Sequence, residues 1–252
     1  MVSRIFKCSK FINLPMICKL CGQDHKLVKA HVIPESFFRP LRSEKKSPLL
    51  ISAGNYIKRA PIGVYDKTIL CEPCEQQFGI WDDYAQSLLI QDFQKARTLK
   101  KGNDIYGYVF DNFDYDKLKL FFISMLWRAS ISSLKFYENV RLNVFEDVAK
   151  DHIKKNNPGT LDDFSVMLAH FDELDGRRTI LNPQPIRMES VNFYRFYLTG
   201  FIAYIKVDKR KILGHLRKFI MSPGRELPIV RRPFNISAER KLLSRVAKST
   251  KG

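Results

Sequence analysis

The chain has 252 residues, 45% of them apolar, enough to bury a substantial core in one large domain or two small ones, and two are expected. Lys and Arg number 43 against 26 Asp and Glu, and this net charge of +17 favours a phosphate-rich partner over an acidic one through counterion release. No stretch reaches the roughly 20 apolar residues of a membrane helix, the most apolar run, 118–127, being interrupted by Lys119; the opening MVSRIFKCSKF lacks the apolar segment of a secretory signal, so a cytoplasmic location is expected.

In chain order, Cys8 stands alone and reads as a small hydrophobe. The other four cysteines form two close pairs, CKLC at 18–21 and CEPC at 71–74. In a reducing compartment such pairs point to metal rather than to disulfides. Each Cys-x-x-Cys lets two thiolates meet one tetrahedral Zn2+ at about 2.3 Å, and two pairs fill all four positions, giving a closed, structural site. Gly22 after the first pair and Pro73 inside the second suit tight turns. The intervening residues, 22–70, hold His25, expected in an exposed turn, and AHVIP, which ends a short apolar stretch and should put His31 on a strand that runs into a turn.

The polar run KARTLKKGND, with Gly102, reads as a linker, so the domain boundary is expected near Lys100 to Asp104. Beyond it, Leu118, Phe121, Phe122, Met125, Leu126 and Ala129 follow a helical period within 116–137, a core helix. A second helix is expected over 144–155, ended by Asn157-Pro158-Gly159. Residues 164–171 and 191–207 are rich in aromatic and β-branched side chains and read as strands, although 194–204 also fits a buried helix. Within it, Phe193, Tyr194, Arg195, Phe196 and Tyr197 read either as a base-stacking platform or as core. From Lys206 onward there are 14 basic and 3 acidic residues, which makes this the basic pole. Here Arg231 and Arg232, kept extended by Pro233, are the phosphate-contact candidates. Ser237 should cap a basic terminal helix that frays, and His152, His170 and His215 receive no role.

HVIP (31–34) and LCEPC (70–74) together resemble the HNH, or His-Me finger ββα-metal, endonuclease-like family, over roughly residues 15–90. The resemblance implies an α+β chain in which a zinc-stapled ββα-metal module (1–100) precedes a larger mixed helical and strand domain (101–252). By position, it makes His31 the general base that takes a proton from the attacking water, Asp66 in YDKTILC the group that orients it, and Glu75 a ligand to a catalytic cation. The family often carries an acidic residue just before the first histidine, whereas this chain has Ala30. A helix beginning near Cys74 would align Glu75 with Asp82, seven residues on, and Asp83 beside it, a carboxylate face suited to Mg2+ or Mn2+. Read without the resemblance, His31 also fits a histidine satisfied by a backbone carbonyl, Asp66 a turn cap, and the three acids a solvated helix face. Two functions follow as expectations. The first is a metal-dependent endonuclease of a mobile element or antiphage system, acting on DNA rather than RNA and simplest as a homodimer. The second is a catalytically inactive zinc-stapled nucleic-acid-binding or adaptor protein.

Overall fold

The computed structural model describes residues 16–43, 49–51, 58–59 and 63–249; Cys8 lies outside them. Through residue 86 the elements are short: β1 (Ala30–His31), α1 (Arg39–Ser43), β2 (Leu49–Ile51), β3 (Lys58–Arg59), β4 (Tyr65–Asp66) and then α2 (Glu72–Gln86). β5 (Arg97–Lys101) and β6 (Asp104–Phe110) follow, then α3 (Tyr115–Ile131) and α4 (Phe145–Lys155). The remainder is β7 (Val166–His170), α5 (Leu174–Arg178), β8 (Thr179–Leu181), β9 (Gln184–Met188), β10 (Val191–Leu198), β11 (Phe201–Lys206), β12 (Leu227–Arg231) and α6 (Ala238–Ser249). The α+β class expected from the sequence is what the chain adopts.

The large sheet has seven strands in the order β5-β6-β12-β7-β11-β10-β9, antiparallel except where β12 runs parallel to β7. α3 packs against β11, and α2 and α4 pack against α3. Every residue from Leu118 to Ala129 is buried, as expected of a helix that is apolar nearly all round. Asp114 caps it by accepting from the Lys117 amide at 3.0 Å. α4 ends as the sequence suggests, with Asn156 in the left-handed conformation at φ 48°. Residues 191–207 resolve into a hairpin rather than a helix. Its two-residue turn, Thr199-Gly200, has φ 37° and 93°, a conformation that glycine adopts freely.

The expected linker is also a hairpin. Lys101 pairs with Asp104 around Gly102, and β5 is polar because it is an exposed edge of the large sheet. No break in packing accompanies it: one apolar core runs from Cys18 to Val246. Phe37 stacks on Phe121 of α3 at 5.4 Å, β2 pairs in parallel with β8, and the Thr199 hydroxyl donates to the Phe37 carbonyl at 2.8 Å. Among the described residues no helix is long and apolar enough to cross a membrane.

A candidate metal centre beside His31

Two tight turns build the sulfur cluster. In the first, Gly22, at φ 75°, donates its amide to the Cys18 carbonyl at 2.9 Å, and the Cys18 amide donates to Gln23 at 3.0 Å. In the second, Cys71 is the N-cap of α2 and Pro73 occupies the first helical turn, where its missing N–H breaks no helical bond. Backbone bonds from Lys19 to Ile69 (2.8 Å) and from Val28 to Leu70 (2.9 Å) lash the turns together. The four Sγ atoms lie within 4.8 Å of one another, with Cys21 and Cys71 3.9 Å apart. That spacing is far from the ~2.05 Å of a disulfide and close to the edge, about 3.8 Å, of a tetrahedron of zinc–sulfur bonds. Burial alone would raise the Cys18 thiol, but the amides of Cys21, Cys71 and Leu20 aim at its sulfur and bring it down to about 7. Burial raises the thiols of Cys71 and Cys74. This donor set can hold a metal ion such as zinc.

β1 and β4 form a two-residue antiparallel ribbon that pairs Ala30 with Asp66 and His31 with Tyr65. Facing residues share a side of such a ribbon and neighbours alternate, so His31 lies with Tyr65, ring centroids 5.6 Å apart, and Asp66 points to the other side. There the Asp66 carboxylate, 1% exposed, accepts from the Thr68 hydroxyl (2.6 Å) and amide (2.8 Å), the Ser132 hydroxyl (2.8 Å), and the Ser133 amide (3.0 Å) and hydroxyl (3.2 Å). Asp66 thus ties β4 to the end of α3 and is turned away from the base it was expected to orient.

Both main-chain groups of His31 are engaged: its amide donates to Glu75 Oε1 at 3.3 Å and its carbonyl accepts from Arg128 Nη1 at 2.7 Å. Burial raises the Glu75 carboxyl against the pull of Arg128, and Glu75 Oε2 is buried with no hydrogen-bond partner among the described residues. Asp82 does share a helix face with Glu75, as the seven-residue spacing requires, but both its oxygens accept from Arg128, at 2.8 and 3.0 Å. Asp83 is exposed. Asp82 is thus committed to Arg128, and among the described residues the four cysteines are the set of three or more His, Cys, Asp or Glu side chains that converges.

Arg128, which sequence reasoning passed over, organises this corner from within α3. Its signal was a cation in a mostly apolar helical run that holds one other, Lys119, among the buried positions 118–129.

The basic pole is also used internally. Arg231 Nε donates to Asp172 at 2.6 Å, and the same carboxylate accepts from Tyr108 (2.7 Å) and His170 Nδ1 (3.0 Å). Arg232 forks onto Glu239, at 3.2 Å to each oxygen, and reaches the Tyr204 hydroxyl at 2.9 Å. The Arg232–Glu239 pair docks the first turn of α6, a helix expected to fray, and Ser237 caps it by accepting from the Arg240 amide at 3.1 Å. Phe193, Tyr194, Phe196 and Tyr197 are core. His25 is exposed, as expected, though it stands between the Ile17–Asp24 and Leu27–Cys71 bridges rather than in a turn.

No family model matches the chain, and neither a curated protein nor a solved structure matches it.

Asp66 yields a prediction that does not depend on function. Burial alone would raise its pKa, but the donations from Thr68, Ser132 and Ser133 outweigh it and hold the carboxyl below its ordinary value. A folded-state pKa below the unfolded one contributes stability above the unfolded value, and that contribution is lost as pH falls through the folded value. Asp66→Asn is therefore expected to cost about 2 kcal/mol at neutral pH, and the deficit against wild type should shrink as pH drops below about 4. Urea unfolding of both proteins at pH 7 and pH 3 measures it; an equal deficit at both would contradict the assignment.

Proposed function

We propose that the chain is a zinc-stapled, HNH-like, metal-dependent endonuclease acting on nucleic-acid phosphodiesters, with His31 as the general base. One juxtaposition supports this reading. A two-strand ribbon precedes a helix whose base is pinned by two Cys-x-x-Cys turns, and across that joint the His31 amide meets the Glu75 carboxylate at 3.3 Å.

In this scheme neutral His31 accepts a proton from the water that attacks phosphorus. Glu75, through its unsatisfied Oε2, is the residue that would hold Mg2+ or Mn2+. Such a cation supplies stabilisation of the charge building on the phosphate and on the leaving 3′ oxygen. Arg128 is a positioning residue: it fixes the His31 carbonyl and so the strand that carries the base. Asp66 has no part in the scheme, because its oxygens are occupied on the far side of the ribbon. DNA is the expected polymer, a homodimer the simplest way to cut both strands, and a mobile-element or antiphage setting belongs to the same proposal.

The test is digestion of plasmid DNA and of RNA with Mg2+ or Mn2+, comparing wild type with His31→Ala and Glu75→Gln at matched zinc content. Loss of the general base is expected to slow cleavage by at least about 100-fold. Cleavage unchanged in His31→Ala would remove the assignment. Binding without cleavage in wild type would instead favour the second reading, a non-cleaving nucleic-acid-binding or adaptor module. Ala30, and the commitment of Asp82 to Arg128, support that alternative.

A further inference from the structure

The arginines named from the sequence as phosphate contacts are paired, so the nucleic acid must be gripped elsewhere, and two others are free for the task. Arg141 and Arg187 are both exposed, and neither guanidinium has a hydrogen bond or ion pair among the described residues. Both line a single concavity of about 470 Å3 between the 141–145 segment and the edge of the large sheet at β9 and β10. By contrast, Arg97, Arg128, Arg195, Arg210, Arg231 and Arg232 each sit on a carboxylate.

We infer that this concavity binds one nucleotide of a single nucleic-acid strand, its phosphate held between Arg141 and Arg187. The inference rests on the nucleic-acid half of the proposed function and not on cleavage.

The site is built rather than incidental. Val140 and Leu142, each 1% exposed, anchor the chain on either side of Arg141. The Tyr194 hydroxyl locks the Arg141 backbone to β10, accepting from its amide and donating to its carbonyl, both at 2.9 Å. The guanidinium therefore projects from a fixed backbone. Arg187 stands opposite Asn192 in the β9–β10 ladder.

The chemistry of the lining selects the ligand. Among the described residues no carboxylate lines the concavity. Asp208, which accepts from the Asn192 amide at 3.0 Å, is neutralised by Arg210. Two guanidinium forks without an acid suit phosphate oxygens. Pro185 and Phe145 offer apolar wall to a base face, and the side-chain amides of Asn143 and Asn192 offer donors and acceptors to its edge. A duplex keeps its bases stacked inside and presents only backbone to a protein surface, whereas an unpaired base can enter a hollow of this size.

Fluorescence anisotropy with a labelled single-stranded oligonucleotide, in chelator-free buffer without added divalent cation, tests the site on the zinc-loaded full chain. Arg141→Ala/Arg187→Ala is compared with Arg240→Ala/Arg245→Ala, which removes the same charge from exposed positions on α6. The first double variant is expected to bind at least tenfold more weakly. Its slope of log K against log salt should be shallower by about 1.4, the loss of two phosphate contacts on a single strand, with the α6 variant shifting far less. Equal effects from the two variants, or a duplex competing as well as the single strand, would overturn the site while leaving a nucleic-acid function standing. Wild type that binds no nucleic acid would overturn both.

Discussion

Stripping the metal from the four-cysteine cluster is expected to unfold the segments around it rather than loosen a single loop. β1 and β4 are two residues each, far below what holds together unaided in water. The chain from Ile17 to Val28 contains no helix and is held to the 69–71 stretch by a few backbone bonds and by the cluster itself. Structural zinc sites contribute an apparent 10–16 kcal/mol at neutral pH, as much as the whole stability of an ordinary domain, about 5–15 kcal/mol. Cys18, Leu20, Ala30 and Val32 belong to the same core as α3, so their release exposes the helix they cover. Elemental analysis of the purified chain should find one zinc, and none in Cys18→Ser/Cys71→Ser. Hydrogen exchange after chelation should lose protection over 17–36 and 63–71 first, with β7, β10 and β11 the last to open. The two tryptophans, Trp81 on α2 and Trp127 on α3, are 4% and 1% exposed and report the change by red-shifted emission. A metal-free wild type that keeps full protection across 17–36 would refute the closed site.

What was legible in the sequence was local. Cys-x-x-Cys spacing, the apolar period of α3, the Asn-Pro-Gly end of α4 and the cap at Ser237 each depend on residues within a turn or two of one another, and each can be read without knowing the fold. What was not legible depends on partners far along the chain. Asp66 looks like a site residue because it precedes LCEPC, yet its role is set by Ser132 and Ser133, 66 and 67 residues on. Arg231 and Arg232 look like surface cations until Asp172 and Glu239 are brought beside them. The run 95–104 is polar because an edge strand has solvent on its outer side, and polarity alone cannot separate an edge hairpin from a linker. Lys119 broke the apolar run for the same reason that Arg128 did. Both are buried cations with dedicated acceptors, and Lys119 donates to Tyr115 and to the Thr160 carbonyl while burial lowers its pKa to about 8.

Replacing Arg128 by methionine is expected to be the most damaging single change outside the cysteines. The side chain is fully buried and makes five hydrogen bonds: to both Asp82 oxygens, to the His31 carbonyl, and to the Ser124 carbonyl and hydroxyl. Its guanidinium also lies 4.8 Å from the Phe78 ring centroid. Burial disfavours its charge, but Asp82 and Glu75 raise its pKa, so it is a cation held in place by two acids. Removing one member of a buried pair leaves the other uncompensated, at a cost of about 3–5 kcal/mol, or roughly 10 °C in melting temperature for a chain of this size. Lysine is no substitute, since one ammonium cannot serve the carboxylate fork and the carbonyl together. Arg128→Met/Asp82→Leu removes both charges and should recover much of the loss, because the main penalty is an unpaired carboxylate and not a missing attraction. A double-mutant cycle by urea unfolding measures this, and an Arg128→Met protein that melts within a degree of wild type would contradict it. The recovered double variant then separates folding from chemistry. It is stable, yet the His31 carbonyl has lost its donor, so under the nuclease reading its cleavage should stay depressed while its zinc content and its affinity for a single strand return to wild-type values.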